Sequence, residues 1–267
     1  MQFGLNLYSI RNLIQTHEDF LATAKKLKEM GYEYMQFSGG RYDVESIRQV
    51  SKETGMPVCL THVPFERIIN ETSALMDEHA QFGCKNIGLG AMPFDELSDD
   101  TAFKKTVELL NRKAEEMKRN GFQFFYHHHH FEFFRMGEQT RFDYMVENAP
   151  FINFTADTYW LQYGGMEITP TLERLRGRIG CVHLKDYKIQ RGEDKRFAPV
   201  IAPVGDGVLD FRKIIKKMLM LGVEYYLVEQ DNAATLPDTL GQVERSIVWL
   251  KKKFEQTQTD KSQGVTL

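Results

Sequence analysis

Tyr126-His127-His128-His129-His130-Phe131-Glu132 closes an apolar run of strand length. Thr155-Ala156-Asp157-Thr158-Tyr159-Trp160, Cys181-Val182-His183-Leu184-Lys185-Asp186 and Leu227-Val228-Glu229-Gln230-Asp231 do the same, and helix-like segments lie between them. Together they read as the C-terminal ends of four parallel strands. Side chains two apart on a strand share a face, so His127 with His129, Thr155 with Asp157, Cys181 with His183 and Lys185, and Leu227 with Glu229 and Asp231 point the same way. One residue from each end then reaches a common point: Glu132, lying just past its strand, Asp157, His183 and Glu229.

The rest of the chain extends the pattern. Strands are expected at 3–9, 32–37, 57–62, 86–89, 122–127, 152–156, 179–184 and 225–229. Helices are expected at 17–30, 44–54, 68–82, 100–120, 142–148, 169–176, 211–221 and 240–254. Thr16 is placed to cap the first helix, and Gly31, Gly55, Gly83 and Gly121 to stop the first four. Eight strand–helix units in strict alternation predict an α/β protein with a parallel sheet, and eight is the number that closes a single (β/α)8 TIM barrel. An open doubly wound sheet would need a glycine-rich phosphate turn after the first strand, where the chain instead has Tyr8-Ser9-Ile10-Arg11. The barrel is assigned to residues 1–255 and a polar tail to 256–267. The longest irregular piece is expected at 185–209, after the seventh strand.

The chain has 267 residues, enough for one such barrel, and is 42% hydrophobic and 27% charged. A net charge of −3 without a basic stripe argues against nucleic acid as a partner. No apolar stretch approaches the ~20 residues of a membrane span, and no signal peptide is visible, so a cytoplasmic location and no membrane partner are expected. Cys59, Cys84 and Cys181 sit in apolar runs without zinc-type spacing and read as buried thiols.

Three carboxylates and an imidazole suit one divalent ion, Mn²⁺, Mg²⁺, Co²⁺ or a catalytic Zn²⁺, and not a structural zinc site, which prefers thiolates. An ion holding two neighbouring oxygens of a ketose acidifies the adjacent C–H, and a carboxylate beside it takes the proton. His62, at the end of the third strand, and Trp160, as an apolar wall, are candidate substrate contacts. Of the four histidines, one pair is expected at the site and the other packed or hydrogen-bonded. His17 and His79 fall on helices and have no assigned role.

At these residues the sequence resembles the sugar phosphate isomerase/epimerase superfamily, the xylose isomerase-like TIM barrel proteins. The resemblance runs from Gly4 to about Phe254. It is carried by residues 126–133, Asp157-Thr158-Tyr159-Trp160, His183-Leu184-Lys185-Asp186, Val204-Gly205-Asp206-Gly207-Val208-Leu209-Asp210-Phe211 and Val228-Glu229-Gln230-Asp231. The superfamily holds ketose 3-epimerases, inosose isomerases and dehydratases, and the repair enzyme endonuclease IV.

The resemblance implies Asp157, His183 and Glu229 as metal ligands, with a Glu from the strand-five region as the fourth. Many relatives carry that Glu where this chain has Tyr126. The matching subgroup has His-Asn-His followed closely by Glu, which selects Glu132, with Glu138 as the fallback. Here His128 stands where the subgroup has Asn. The expected activity is a metal-dependent isomerase or epimerase of a sugar or polyol working through a metal-stabilised enediolate. Glu229 and Glu132 would be the catalytic acid–base pair, and His62, His127, His129, Trp160 and Lys185 the substrate contacts. The alternative is a dehydratase of a keto-sugar or inosose, since the same enediolate can expel a neighbouring hydroxyl. A nuclease would need further metal ligands where strands two and four end in Phe37-Ser38-Gly39 and Leu89-Gly90-Ala91. An inactive sugar-binding protein would not need the ligand set. Relatives form dimers or tetramers, so a homo-oligomer is implied by resemblance alone.

Overall fold

Eight parallel strands close into a barrel in this computed structural model, which describes residues 1–254. They are β1 (Gly4–Asn6), β2 (Tyr34–Phe37), β3 (Val58–His62), β4 (Asn86–Leu89), β5 (Gln123–His127), β8 (Asn153–Asp157), β9 (Cys181–Leu184) and β12 (Tyr225–Val228). Their order around the barrel is β1-β12-β9-β8-β5-β4-β3-β2. The expected closed (β/α)8 barrel is therefore the observed fold. The end of the barrel domain at 255 and the tail 256–267 lie outside the described residues.

Local chemistry sets the element boundaries. Helix α1 (His17–Met30) starts where the Thr16 side chain accepts the Asp19 N–H and stops at Gly31, whose φ of 98° suits a residue without Cβ. Helix α2 (Val44–Thr54) is capped by Asp43 in the same way. Gly55, Gly83 and Gly121 also take positive φ, as expected of helix stops. The expected third helix is two, α3 (Phe65–Asn70) and α4 (Thr72–Gln81), because Glu71 leaves the helical region at φ −127°, ψ 30°. Helix α5 (Asp100–Arg119) follows β4, and α6 (Arg141–Asn148) opens on a full capping box between Thr140 and Asp143.

The loop after β5 carries a two-stranded turn, β6 (Arg135–Met136) with β7 (Gln139–Thr140). Helix α7 (Thr158–Tyr163), absent from the sequence reading, begins directly at the end of β8 and is followed by α8 (Ile168–Arg174). The segment expected to be irregular after β9 is mostly an antiparallel hairpin, β10 (Asp186–Arg191) with β11 (Phe197–Ala202). Its alternating side chains pair across the two strands, a pattern that a charged sequence hides. Helices α9 (Phe211–Met220) and α10 (Thr239–Phe254) complete the outer ring. Among the described residues no helix is long and apolar enough to cross a membrane. The three cysteines are free and buried.

Inside the barrel the two-residue alternation builds layers. Tyr34, Leu60, Phe125, Cys181 and Leu227 pack into an apolar plug. Two residues further along the same strands stand Gln36, His62, His127, His183 and Glu229, and Asp157 stands beside them on β8. The plug closes the barrel below, so the next layer is buried and faces the C-terminal mouth.

Candidate metal centre at the barrel mouth

His127 Nε2 or Nδ1, an Asp157 oxygen, a His183 ring nitrogen and a Glu229 oxygen lie within 4.8 Å of one another, and all four residues are buried. Each is fixed through its other polar atom. His127 Nδ1 donates to the Gly90 carbonyl at 2.9 Å, which leaves Nε2 facing Asp157 Oδ2 at 3.4 Å. Asp157 Oδ1 accepts the Trp160 N–H at 2.9 Å and so caps α7. His183 Nε2 donates to Gln36 Oε1 at 2.7 Å, which leaves Nδ1 facing inward. Glu229 Oε1 accepts from Asn6 Nδ2 at 2.6 Å, which leaves Oε2 facing inward. Outer partners that fix the tautomer and orientation of each donor are the usual support of a metal site.

His183 Nδ1 and Glu229 Oε2 approach to 2.8 Å, yet neither atom has a partner with hydrogen-bond geometry. A bare imidazole nitrogen and a carboxylate oxygen at that separation repel unless a cation lies between them. Protonation of His183 would relieve that repulsion. Burial works against a charged His183, but Glu229 and Asp157 outweigh it and raise its pKa to about 9. Burial likewise opposes ionised Glu229 and Asp157, but His183 and Lys185 hold Glu229, and Lys185 with the two histidines holds Asp157, well below the ordinary carboxylate value. The donor set of two imidazoles and two carboxylates fits one divalent ion.

Lys185 supplies the second positive charge. Its Nζ lies 2.8 Å from Asp157 Oδ2, 2.8 Å from Glu229 Oε2 and 3.1 Å from Asp231 Oδ2. Burial alone would depress its pKa, but the three carboxylates raise it well above the ordinary value. The backbone there is pinned by Thr158, whose hydroxyl donates to the Lys185 carbonyl and accepts its N–H. Asp186 then ties down the end of the hairpin, its carboxylate accepting the N–H groups of Gly205, Gly207 and Leu209. A Cβ on Gly207 would stand 2.2 Å from Asp186 Oδ1, which explains the glycine in that motif.

Three of the four expected ligands, Asp157, His183 and Glu229, come together; Glu132 does not. It is fully buried on the short 3₁₀ turn Phe131–Phe133. One carboxylate oxygen accepts the Tyr126 hydroxyl and the other accepts the His129 N–H at 2.8 Å. Burial, partly offset by the Tyr126 hydrogen bond, raises its pKa to about 7. Tyr126 in turn accepts the Met92 N–H, so Glu132 braces the wall between β4 and β5. The fallback, Glu138, is exposed on the β6–β7 turn. The fourth residue of the cluster is His127, which the alternation from Phe125 places on the inner face.

The expected substrate contacts surround this centre. The His62 ring lies 5.5 Å from that of His127 and 5.8 Å from that of His183. Trp160 stacks on His130 at 5.1 Å, meets His129 at 5.3 Å, and carries Lys185 Nζ 5.2 Å from its ring. His128 is the packed member of the histidine run, its Nε2 accepting the Asp157 N–H at 3.1 Å. His62 Nε2, His129 Nδ1, Trp160 Nε1 and Gln36 Nε2 are buried atoms without a partner. Asn6 and Gln36 were missed in the sequence, where neutral amides carry no signal beyond their inward strand positions.

The model of the xylose isomerase-like TIM barrel family matches residues 24–253. No curated protein sequence matches the chain. Among solved structures, a sugar phosphate isomerase/epimerase from Parabacteroides distasonis ATCC 8503 superposes with a TM-score of 0.75 at 20% identity, over 94% of this chain and 93% of that one. An L-ribulose 3-epimerase gives 0.69 at 13% identity, over 100% and 99%. A xylose isomerase-like TIM barrel protein from Mycobacterium smegmatis, in complex with magnesium, gives 0.67 at 13%, over 94% and 95%. At these identities the likeness to the solved structures is one of fold.

Proposed function

This chain belongs to the xylose isomerase-like TIM barrel family, and from that membership and the buried centre we propose that it is a divalent-metal-dependent isomerase or epimerase of a sugar or polyol. The observation that carries the reading is the convergence of four donor atoms, one each from His127, Asp157, His183 and Glu229, within 4.8 Å. Magnesium in one structural neighbour supports the metal part, and the isomerase and epimerase names of two others support the reaction class.

His127 Nε2, Asp157 Oδ2, His183 Nδ1 and Glu229 Oε2 would hold the ion. When bound, it supplies Lewis-acid polarisation of the substrate carbonyl and so acidifies the neighbouring C–H. The Glu229 carboxylate is the base for that proton, oriented by Asn6. The Lys185 ammonium lies 2.8 Å from Glu229 and would offset negative charge developing on a substrate oxygen. Asp231, only partly buried, links Lys185 to solvent for proton exchange. His62, His129, Trp160 and Gln36 offer their unpartnered atoms to substrate hydroxyls. Glu132, expected as the partner acid–base, is held by Tyr126 and the His129 N–H.

Glu229→Gln tests the assignment. Wild-type enzyme with Mn²⁺ and a turned-over ketose in D₂O exchanges the carbon-bound proton next to the carbonyl, and the variant loses that exchange with its fold intact. Unchanged exchange would refute Glu229 as the base.

A further inference from the structure

Beside the polar centre opens a cavity of about 550 Å³ at the ends of β2, β3 and β4. It falls in the ~300–1,000 Å³ range of pockets that enclose ligands of drug size. Phe37, Val63, Phe65, Leu89 and Met92 line it as buried apolar side chains, and Phe94 stands at the rim with 75% exposure. No Asp, Glu, Lys or Arg lines it. Its polar side chains are Tyr42 and His62. At the rim Phe94 packs edge-on against Phe131, the ring centroids 5.6 Å apart.

The cavity and the centre meet at His62 and Gly90. His62 lines the cavity and packs its ring against those of His127 and His183. Gly90 lines the cavity and accepts the His127 Nδ1–H through its carbonyl. A Cβ on Gly90 would lie 3.0 Å from His62 Nδ1, so the glycine keeps this junction open. The two ends ask for different chemistry. Toward the centre, buried polar atoms of Gln36 and His62 lack partners. In the cavity, a hydroxyl-covered chain would lose water and find almost no hydrogen-bond partner in return. A flat apolar ring gives up little hydration and gains contact with the aromatic walls.

We propose that the substrate of this site is a carbonyl-bearing polyol carrying an apolar ring-shaped substituent, the polyol end at the centre and the ring in the cavity beside His62. This deepens the isomerase reading and rests on it for the polyol end. No lysine or arginine lines the cavity wall to pair with a phosphate on that part of the substrate.

Calorimetric titration of the Mn²⁺-loaded enzyme with 4-nitrophenyl β-D-glucopyranoside and with methyl β-D-glucopyranoside tests this without requiring turnover. The aryl sugar is expected to bind at least about tenfold more tightly, with a more negative heat-capacity change from apolar burial. Phe94→Ala and Ala91→Trp, both at exposed positions of the cavity rim, should each reduce that preference by roughly threefold or more. Equal affinity for the two sugars, or an aryl preference unmoved in both variants, would overturn the assignment. Aryl preference without proton exchange on any ketose supports the cavity and refutes the isomerase reading. Exchange on simple ketoses without aryl preference does the reverse.

Discussion

Replacing Glu132 by Gln separates a ligand from a brace. The Glu132 carboxyl is fully buried and accepts from the Tyr126 hydroxyl and the His129 N–H. Burial raises its pKa from 4.5 to about 7. Because the folded value is the higher one, the folded protein binds the extra proton between these pH values. The stabilising contribution is therefore complete below about pH 4.5 and is lost as pH rises through about 7. At ~1.4 kcal/mol per pH unit, the loss across that whole window is roughly 3–4 kcal/mol, most of it between pH 5 and pH 8. Gln cannot titrate, so Glu132→Gln removes this term while the other groups stay common to both proteins. Urea denaturation of the two metal-free proteins at pH 5 and pH 8 should show the wild type losing about 3 kcal/mol relative to the variant. The variant should bind its metal as the wild type does. A parallel pH response in both proteins, or metal loss in Glu132→Gln as deep as in His183→Ala, would refute the reasoning and return Glu132 to the ligand set.

Two further outcomes follow from the same centre. Metal binding must displace the proton that sits on His183 with a pKa of about 9, so affinity for Mn²⁺ should rise about tenfold from pH 7 to pH 8; calorimetry showing pH-independent affinity would contradict the proton's place there. Lys185→Met leaves Asp157 and Glu229 without their buried ammonium and should destabilise the metal-free protein by about 3–5 kcal/mol. Excess Mn²⁺ should restore most of that loss, and a melting temperature that neither falls nor recovers would count against the cluster's geometry.

The barrel was legible because its signals are local and repeated. Helices α1 and α2 were bounded correctly by Thr16, Gly31 and Gly55, whose roles depend on neighbours in sequence. Asp157, His183 and Glu229 were legible because alternation along a strand fixes which side chains face inward. The same rule applied to β5 gives His127, two residues after the plug residue Phe125. Glu132 drew the assignment instead because the resembling subgroup has a Glu just past its histidines, and orientation past a strand end depends on a 3₁₀ turn that leaves no periodic trace. Helix α7 escaped notice because six residues show too little periodicity, and Asp157 both caps it and serves the centre. Asn6 and Gln36 carry no charge and reveal themselves only through partners 223 and 147 residues away. The apolar cavity joins residues from three strand ends and their loops, a juxtaposition that exists only once the barrel closes.

The central claim is that His127, Asp157, His183 and Glu229 hold one divalent ion. Plasma mass spectrometry of tag-free protein, wild type beside His127→Ala, tests it most directly. About one equivalent of Mn, Mg, Co or Zn per wild-type chain is expected after incubation with metal and gel filtration, with a sharp loss in His127→Ala. No retained metal in the wild type, or full occupancy in His127→Ala, would contradict it.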